Sequence, residues 1–374
     1  MAQPGNRLLK RLYIAAAAIV LSASGLGGSA SAAQDASLAQ PSDDASQKVW
    51  SWFGDALLRG DRVTGIPRPD DSISRTFGRG RFGVLYDPIP NLEFGGAIKL
   101  AASSQDNAED RINNLNERSN DVAVDQLFLR WRVGENTSLL LGKSAFPLEL
   151  SPLVWDADLR PVGVSGQTSF ATGDLDRIVL TAGYFNGNLP YGDDSRIAAV
   201  QAAYRWHEGA PTSAGILLSY LDFSDLEKLT SQGLSRTNRR VGNRLASDYR
   251  LLDLQLVGLF HAGGWPLETR LDLLRNLGAD DLSDGARLSV VLGDRRQPHG
   301  WEFGFAAQRI QRDAAMAAFN ADDWWFHSWS HGVMPWVGYG LDATWSMRLA
   351  GFHEERDNVT RHTDRLLLDL YAQW

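Results

Sequence analysis

The chain has 374 residues, 44% of them hydrophobic, and its 45 acidic side chains outnumber its 37 basic ones for a formal net charge of −8. It contains no cysteine, which excludes disulfides and thiolate metal centres. The acidic balance argues against nucleic acid as a partner. Beyond the N-terminus charged residues interrupt every apolar run, so no transmembrane helix is expected. A barrel that turns every second residue to lipid has the same ordinary composition.

At the start of the chain Arg7, Lys10 and Arg11 precede an apolar run from Leu12 to about Leu26, followed by small residues from Gly27 to Ala33. This order of charged, apolar and small segments is that of a secretory signal peptide, expected over 1–32 with Ala30-Ser31-Ala32 as the preferred cleavage triplet. The apolar run falls short of the roughly 20 residues that a spanning helix needs. Residues 33–47 are mostly Ala, Ser, Asp, Gln and Pro, too polar to fold, and read as a disordered periplasmic lead-in. The folded body is expected over 48–374.

From Trp50 the chain becomes a series of alternating segments. The first eight strands are expected at Trp50–Val63, Ser74–Tyr86, Leu92–Ala102, Val122–Val133, Ser138–Phe146, Leu159–Phe170, Arg177–Phe185 and Arg196–Trp206. The next eight follow at Ser213–Phe223, Tyr249–Phe260, Leu267–Leu277, Ala286–Leu292, Trp301–Arg312, Trp329–Val337, Leu341–Glu354 and Thr363–Trp374. Every second connection is tight, such as Asp87-Pro88-Ile89-Pro90-Asn91 and Ala262-Gly263-Gly264-Trp265. Gly, Pro, Asn and Asp supply the backbone angles those turns need. The intervening connections are long and polar: Ser103–Asp121, Ser224–Asp248, Asp313–Ser328 and Glu355–His362. Alternation of this kind predicts an all-β fold, a transmembrane antiparallel β-barrel of about 16 strands with short periplasmic turns and long extracellular loops.

Side chains alternate across a strand, which sorts the residues by face. In the last strand Leu366, Leu368, Leu370, Ala372 and Trp374 oppose Arg365, Asp369, Tyr371 and Gln373, with Leu367 the misfit. An apolar strand closed by an aromatic is the signature expected of a barrel that presents its C-terminal strand to an assembly machinery. Tyr86, Trp131, Trp206, Phe260, Trp265, Trp301, Trp336, Tyr339 and Trp374 fall near strand ends and are expected in aromatic girdles at the lipid–water boundary.

At Gly142 the sequence reads GKSAFPLELSPLVWDADLRPVGVSGQ. This resembles a bacterial outer-membrane porin family whose members carry Gly-Lys…Pro and then Leu-Val-Trp-Asp-x-Asp-Leu-x-Pro-x-Gly. The matching positions are Gly142, Lys143, Pro147, Leu153, Val154, Trp155, Asp156, Asp158, Leu159, Pro161 and Gly163. The resemblance implies an outer membrane of lipid and lipopolysaccharide, passive diffusion of small hydrophilic solutes, no cofactor, and the homotrimer common among general porins. In 16-stranded porins the third loop folds into the lumen. By that analogy Glu149, Asp156 and Asp158 lie at a constriction, with Trp155 anchoring the loop against the wall by packing. Alternation places Arg75, Arg79 and Arg81 on one face of the second strand and Arg130 and Arg132 on one face of the fourth, with Lys99 on the strand between. Six cations are costly against lipid and acceptable in a wet lumen, where charged rings bias which ions pass.

Other chemistry is weakly signalled. His327-Ser328-Trp329-Ser330-His331 invites a hydrolase reading, but strand neighbours on opposite faces do not share a hydrogen bond, so no catalytic pair is expected. The acidic pairs Asp322-Asp323 and Glu354-Glu355 are expected to be solvated in extracellular loops. Against the diffusion channel stand a substrate-specific channel for a sugar or organic acid, and a secreted carbohydrate-binding β-protein. The loop-length alternation argues against the last.

Overall fold

The computed structural model describes residues 49–68, 71–105 and 110–374. The signal peptide and the lead-in lie outside the described residues. Sixteen antiparallel strands form one closed barrel. In chain order they are β1 (Trp50–Thr64), β2 (Ser72–Ile89), β3 (Leu92–Ser103), β4 (Asp121–Gly134), β5 (Thr137–Lys143), β6 (Val162–Ala171), β7 (Arg177–Asn186) and β8 (Arg196–Trp206). They continue with β9 (Ser213–Ser224), β10 (Tyr249–Ala262), β11 (Trp265–Asn276), β12 (Asp284–Gly293), β13 (Trp301–Ile310), β14 (Ser330–Gly340), β15 (Trp345–Arg356) and β16 (His362–Gln373). Each pairs with its sequence neighbours, and β1 closes on β16 from Asp55↔Gln373 to Thr64↔Asp364. Closure leaves no unpaired strand edge, which lipid would not tolerate.

All sixteen expected strands are present, with shifted ends. The fifth stops at Lys143 rather than Phe146. Gly142 has φ 123°, and a Cβ there would collide with the Leu127 carbonyl, so the glycine lets the backbone leave the wall. The fifteenth begins at Trp345 rather than Leu341, because Asp342 Oδ1 captures the amides of Thr344 and Trp345 at 2.7 Å each and holds a turn.

Connections at one rim are short (90–91, 135–136, 172–176, 207–212, 263–264, 294–300 and 341–344). Those at the other rim include the second to the fifth loops (104–120, 144–161, 187–195 and 225–248) and the seventh (311–329). Outward positions carry an exposed apolar belt that includes Leu58, Phe82, Ile98, Leu127, Leu141, Val164, Ile216, Leu288 and Leu368. A belt of this extent suits lipid and not water. The girdle aromatics gather on the short-turn rim, where Trp50 stacks on Tyr86 at 4.3 Å and Trp301 meets Tyr339 at 4.8 Å. Trp336 is a correction: it faces inward, donating from Nε1 to Glu302 at 2.8 Å. The Trp374 ring lies over outward-facing Gly54, and the two residues exchange backbone hydrogen bonds of 3.0 and 3.1 Å.

A polar lumen is expected from alternation, yet the long-loop half of the barrel contains a hydrophobic core. Inward side chains Phe185, Ile197, Leu221, Phe223, Tyr249, Leu251, Leu274 and Ile310 are all buried. Leu153, Val154 and Trp155 of the third loop, Leu229 and Leu234 of the fifth, and Met316 and Phe319 of the seventh cover them. Side chains of this size stabilise by about 1.5–3 kcal/mol each when buried, which is the physical reason the loops turn inward.

Candidate functional site

The third loop leaves β5 at its glycine and returns at Val162, with its ends joined by a 3.3 Å bond from the Ser144 amide to the Pro161 carbonyl. Between those ends it reaches two parts of the wall. The Glu149 carboxylate binds Arg205 of β8 at 2.7 Å and also Arg270 of β11. Its carbonyl accepts from Gln201 of β8 at 2.6 Å and Gln255 of β10 at 2.9 Å. Nine residues later, Asp158 binds Arg79 at 2.5 Å and Arg81 at 2.8 Å, both on β2. In a ring of sixteen, β2 and β10 stand opposite one another, so the loop spans the interior.

The six cations singled out from sequence divide into three groups. Arg79, Arg81 and Lys99 come together: Lys99 binds Glu117 of the second loop at 2.6 Å, and Glu117 lies 3.5 Å from Arg79. Arg75 instead joins Asp61 at 2.8 Å in a buried cluster with Arg365, whose guanidinium reaches the same carboxylate at 2.9 Å. Arg130 and Arg132 are not brought to the loop. They bind Glu93 at 2.5 and 3.3 Å near the short-turn rim. Arg81 is level with Lys99, whereas Arg130 pairs with Glu93, six residues along β3; at about 3.3 Å per residue that is roughly 20 Å away.

The two neighbouring aspartates of the third loop are shifted in opposite directions. Asp156 is buried, accepting from Asn116 Nδ2 at 2.7 Å and from the Asp158 amide at 2.9 Å. Burial, with Asp322 and Asp158 close by, raises its pKa well above the ordinary carboxylate range. Burial acts the same way on Asp158, but Arg79, Arg81 and Arg160 overcome it and hold this group well below that range. Trp155 lies in the apolar cluster that the loops form with the wall, its ring stacked on Phe319 at 5.3 Å and tilted against Phe146 at 4.5 Å.

Several contributors escaped the sequence reading. The seventh loop also enters the barrel: Asp313 to Asn320 are buried, and the Phe319 carbonyl accepts from the Asp156 amide at 2.6 Å. Asp323, its side chain 32% exposed, is ion-paired: it binds Arg59 of β1 at 2.9 Å and Arg348 of β15 at 3.4 Å, and both arginines also hold Asp369. Burial is overcome there by Arg59 and Arg348, which pull the Asp323 pKa below its usual range. Glu354 is buried on β15, accepting the amides of Trp325 at 2.7 Å and Phe326 at 3.0 Å. Asn116 joins four loops. It donates to Asp156 and to the Asn320 carbonyl, accepts from Arg236 at 2.6 Å, and its amide binds Asp322 at 2.9 Å. The legible signal was an apolar run, Ala314 to Phe319, in what read as a polar loop.

His327 and Ser328 precede β14, so the alternation argument does not reach them, but their partners separate them. His327 meets Asn320 at 2.8 Å and the Asn114 carbonyl at 3.0 Å. Ser328 donates to the Arg312 carbonyl at 2.8 Å and lies 2.7 Å from Thr237 Oγ1.

No protein-family profile matches the chain, and no curated protein matches it. Solved structures do. OprB of Pseudomonas putida at high pH superposes with a TM-score of 0.57 and 12% identity, over 87% of this chain and 94% of that one. OmpF of Salmonella typhi with daunomycin gives 0.52 and 12% over 87% and 97%. A mutant of the Rh. blastica porin gives 0.51 and 10% over 87% and 100%. At such identities the likeness is one of architecture: the chain has the fold of bacterial porins.

Proposed function

We propose that this chain is a channel of the bacterial outer membrane through which small hydrophilic solutes or ions diffuse passively, with a lumen narrowed by the third long loop. The observation that carries the reading is the span of that loop, tied by Glu149 to β8 and β11 and by Asp158 to β2 on the opposite side. A charged strut across a barrel whose outside is apolar makes sense when water and solute pass beside it. In this reading short turns face the periplasm, long loops face outward, and Arg79, Arg81 and Lys99 form the basic side of the constriction. Lipid and lipopolysaccharide surround the belt, the assembly machinery takes the strand that ends at Trp374, and a homotrimer is the natural assembly.

A second reading, a substrate-specific channel for a sugar or organic acid, is favoured by the apolar packing of the third, fifth and seventh loops on β7 to β11. That packing removes cross-section and leaves the path to the charged half of the wall.

The deciding test is single-channel current of the refolded mature protein in a planar bilayer under a salt gradient. Stable steps are expected, and their reversal potential reports the ion preference. A heat-modifiable, β-rich barrel that gives no steps would sink the channel reading. Liposome swelling then separates the two channels: uptake governed by size alone fits general diffusion, and preference for an organic anion over a sugar of equal size fits the specific one.

A further inference from the structure

The outer face of the barrel changes character where it reaches the long-loop rim. Along β16 the outward residues run Leu368, Leu366, Asp364, His362, and along β15 they run Leu349, Gly351, His353, Glu355. Register sets His353 opposite Asp364 and Glu355 opposite His362. Next to them, Glu355 stands opposite His331 of β14. Imidazoles and carboxylates therefore replace leucines immediately beyond the apolar belt.

Their spacing is the informative part. His353 Nδ1 and Asp364 Oδ1 are 2.8 Å apart, a hydrogen bond that orients the ring. His362 Nε2 lies 3.8 Å from Asp364 Oδ2, and His353 Nε2 lies 3.9 Å from Glu355 Oε1. The two imidazole rings are 4.8 Å apart, centroid to centroid. Separations of 3.8 and 3.9 Å are too long for hydrogen bonds. The 3.8 Å between His362 and Asp364 approaches the roughly 3.3 Å that separates two donors on one tetrahedral ion with bonds of about 2.0–2.2 Å. His353, His362 and Asp364 each offer one donor atom, all within 4.8 Å of one another. Their side chains are 50, 57 and 51% exposed, so rotation about χ1 and χ2 closes the remaining gap without disturbing the barrel.

We propose that His353, His362 and Asp364 form a binding site for a divalent transition-metal ion on the outer rim, with water completing the coordination. Two imidazoles with a carboxylate suit Zn2+, Cu2+ or Ni2+. Ca2+ and Mg2+, which prefer oxygen-only sets, do not compete. The site is separate from the channel interior, since the inward residues of the same strands are Glu354, Thr363 and Arg365.

The test uses the full mature chain without an affinity tag, refolded in detergent and washed with chelator. Isothermal titration with Zn2+ is expected to give one saturable site per chain, unmoved by excess Ca2+. Cu2+ is expected to show hyperfine splitting from two nitrogens in electron paramagnetic resonance. The variant H353A/H362A, checked for folding by heat-modifiable mobility, is expected to weaken binding by tenfold or more, and H299A at the opposite rim to leave it unchanged. Equal affinity in H353A/H362A and the unaltered chain would overturn the site. So would a Cu2+ spectrum without nitrogen coupling, or the absence of saturable binding in the micromolar range.

Discussion

Asp156 and Asp158 are two residues apart and respond oppositely to pH. Asp158 has a depressed folded pKa, so its contribution is present above the unfolded value of about 3.9 and is lost as pH falls through the folded one. Asp156 has a raised folded pKa, so its protonated form is the favoured one and stability is lost as pH rises through that value. Asp156→Asn is therefore expected to hold or raise the unfolding temperature at pH 8, and Asp158→Asn to lower it. Asp158→Asn also frees Arg79 and Arg81 from their shortest partner, so the reversal potential moves toward anion preference. Matching thermal midpoints in the two variants would refute the opposite shifts of the two groups. Asn116 makes the other sharp residue-level case. Asn116→Leu strands buried partners in three other loops, at about 1–3 kcal/mol for each unsatisfied group. Trypsin is expected to cut the variant's loops faster than the unaltered chain's while its barrel mobility on gels stays intact; equal cleavage rates would deny Asn116 its linking role. Parity was enough to put Arg79 and Arg81 inside, but not to find their partners. Asp158 and Glu117 reach them through loop paths that no periodicity encodes.

Among the elements, the strands were the legible part, because period-two alternation and turn residues are local signals. All sixteen are present, and two of the ends that moved did so through Gly142 and Asp342, whose effects depend on a neighbouring carbonyl or two amides. The loops were less legible. Long connections read as polar and solvated, yet the seventh runs Ala-Ala-Met-Ala-Ala-Phe from Ala314 to Phe319 and is buried throughout. Such a run has no use in water, and its seat is the inward face of β7 to β11, which alternation alone would have assigned to a wet lumen. Replacing 314–319 with a Gly-Ser segment removes Met316 and Phe319 from the core and the stacking partner of Trp155. Single-channel conductance of that variant is expected to rise at least twofold with larger current noise. Conductance and noise equal to those of the unaltered chain would mean that this loop does not limit the path.

For the molecule as a whole, closure and filling depend on each other. The ring closes by pairing β1 with β16, the first and last strands, while the interior is packed by loops contributed along the whole chain. Backbone bonds lock the third and seventh loops together, the Asp156 amide to the Phe319 carbonyl at 2.6 Å and the Ala321 amide to the Pro152 carbonyl at 3.0 Å. The seat for those loops is built from β7 to β11 together with β13, and the far tether of the third loop is β2. Those surfaces face one another only in a rounded sheet. The expected order of events is therefore that the wall forms first as a hollow shell and its contents settle afterwards. Refolding into detergent should therefore show two phases, with far-ultraviolet dichroism and gel mobility recovering ahead of the near-ultraviolet signal of Trp155, Trp324 and Trp325. Asn116→Leu should slow the second phase alone. A newly inserted molecule would on this account pass through a brief interval as a wider and less discriminating hole than it finally becomes.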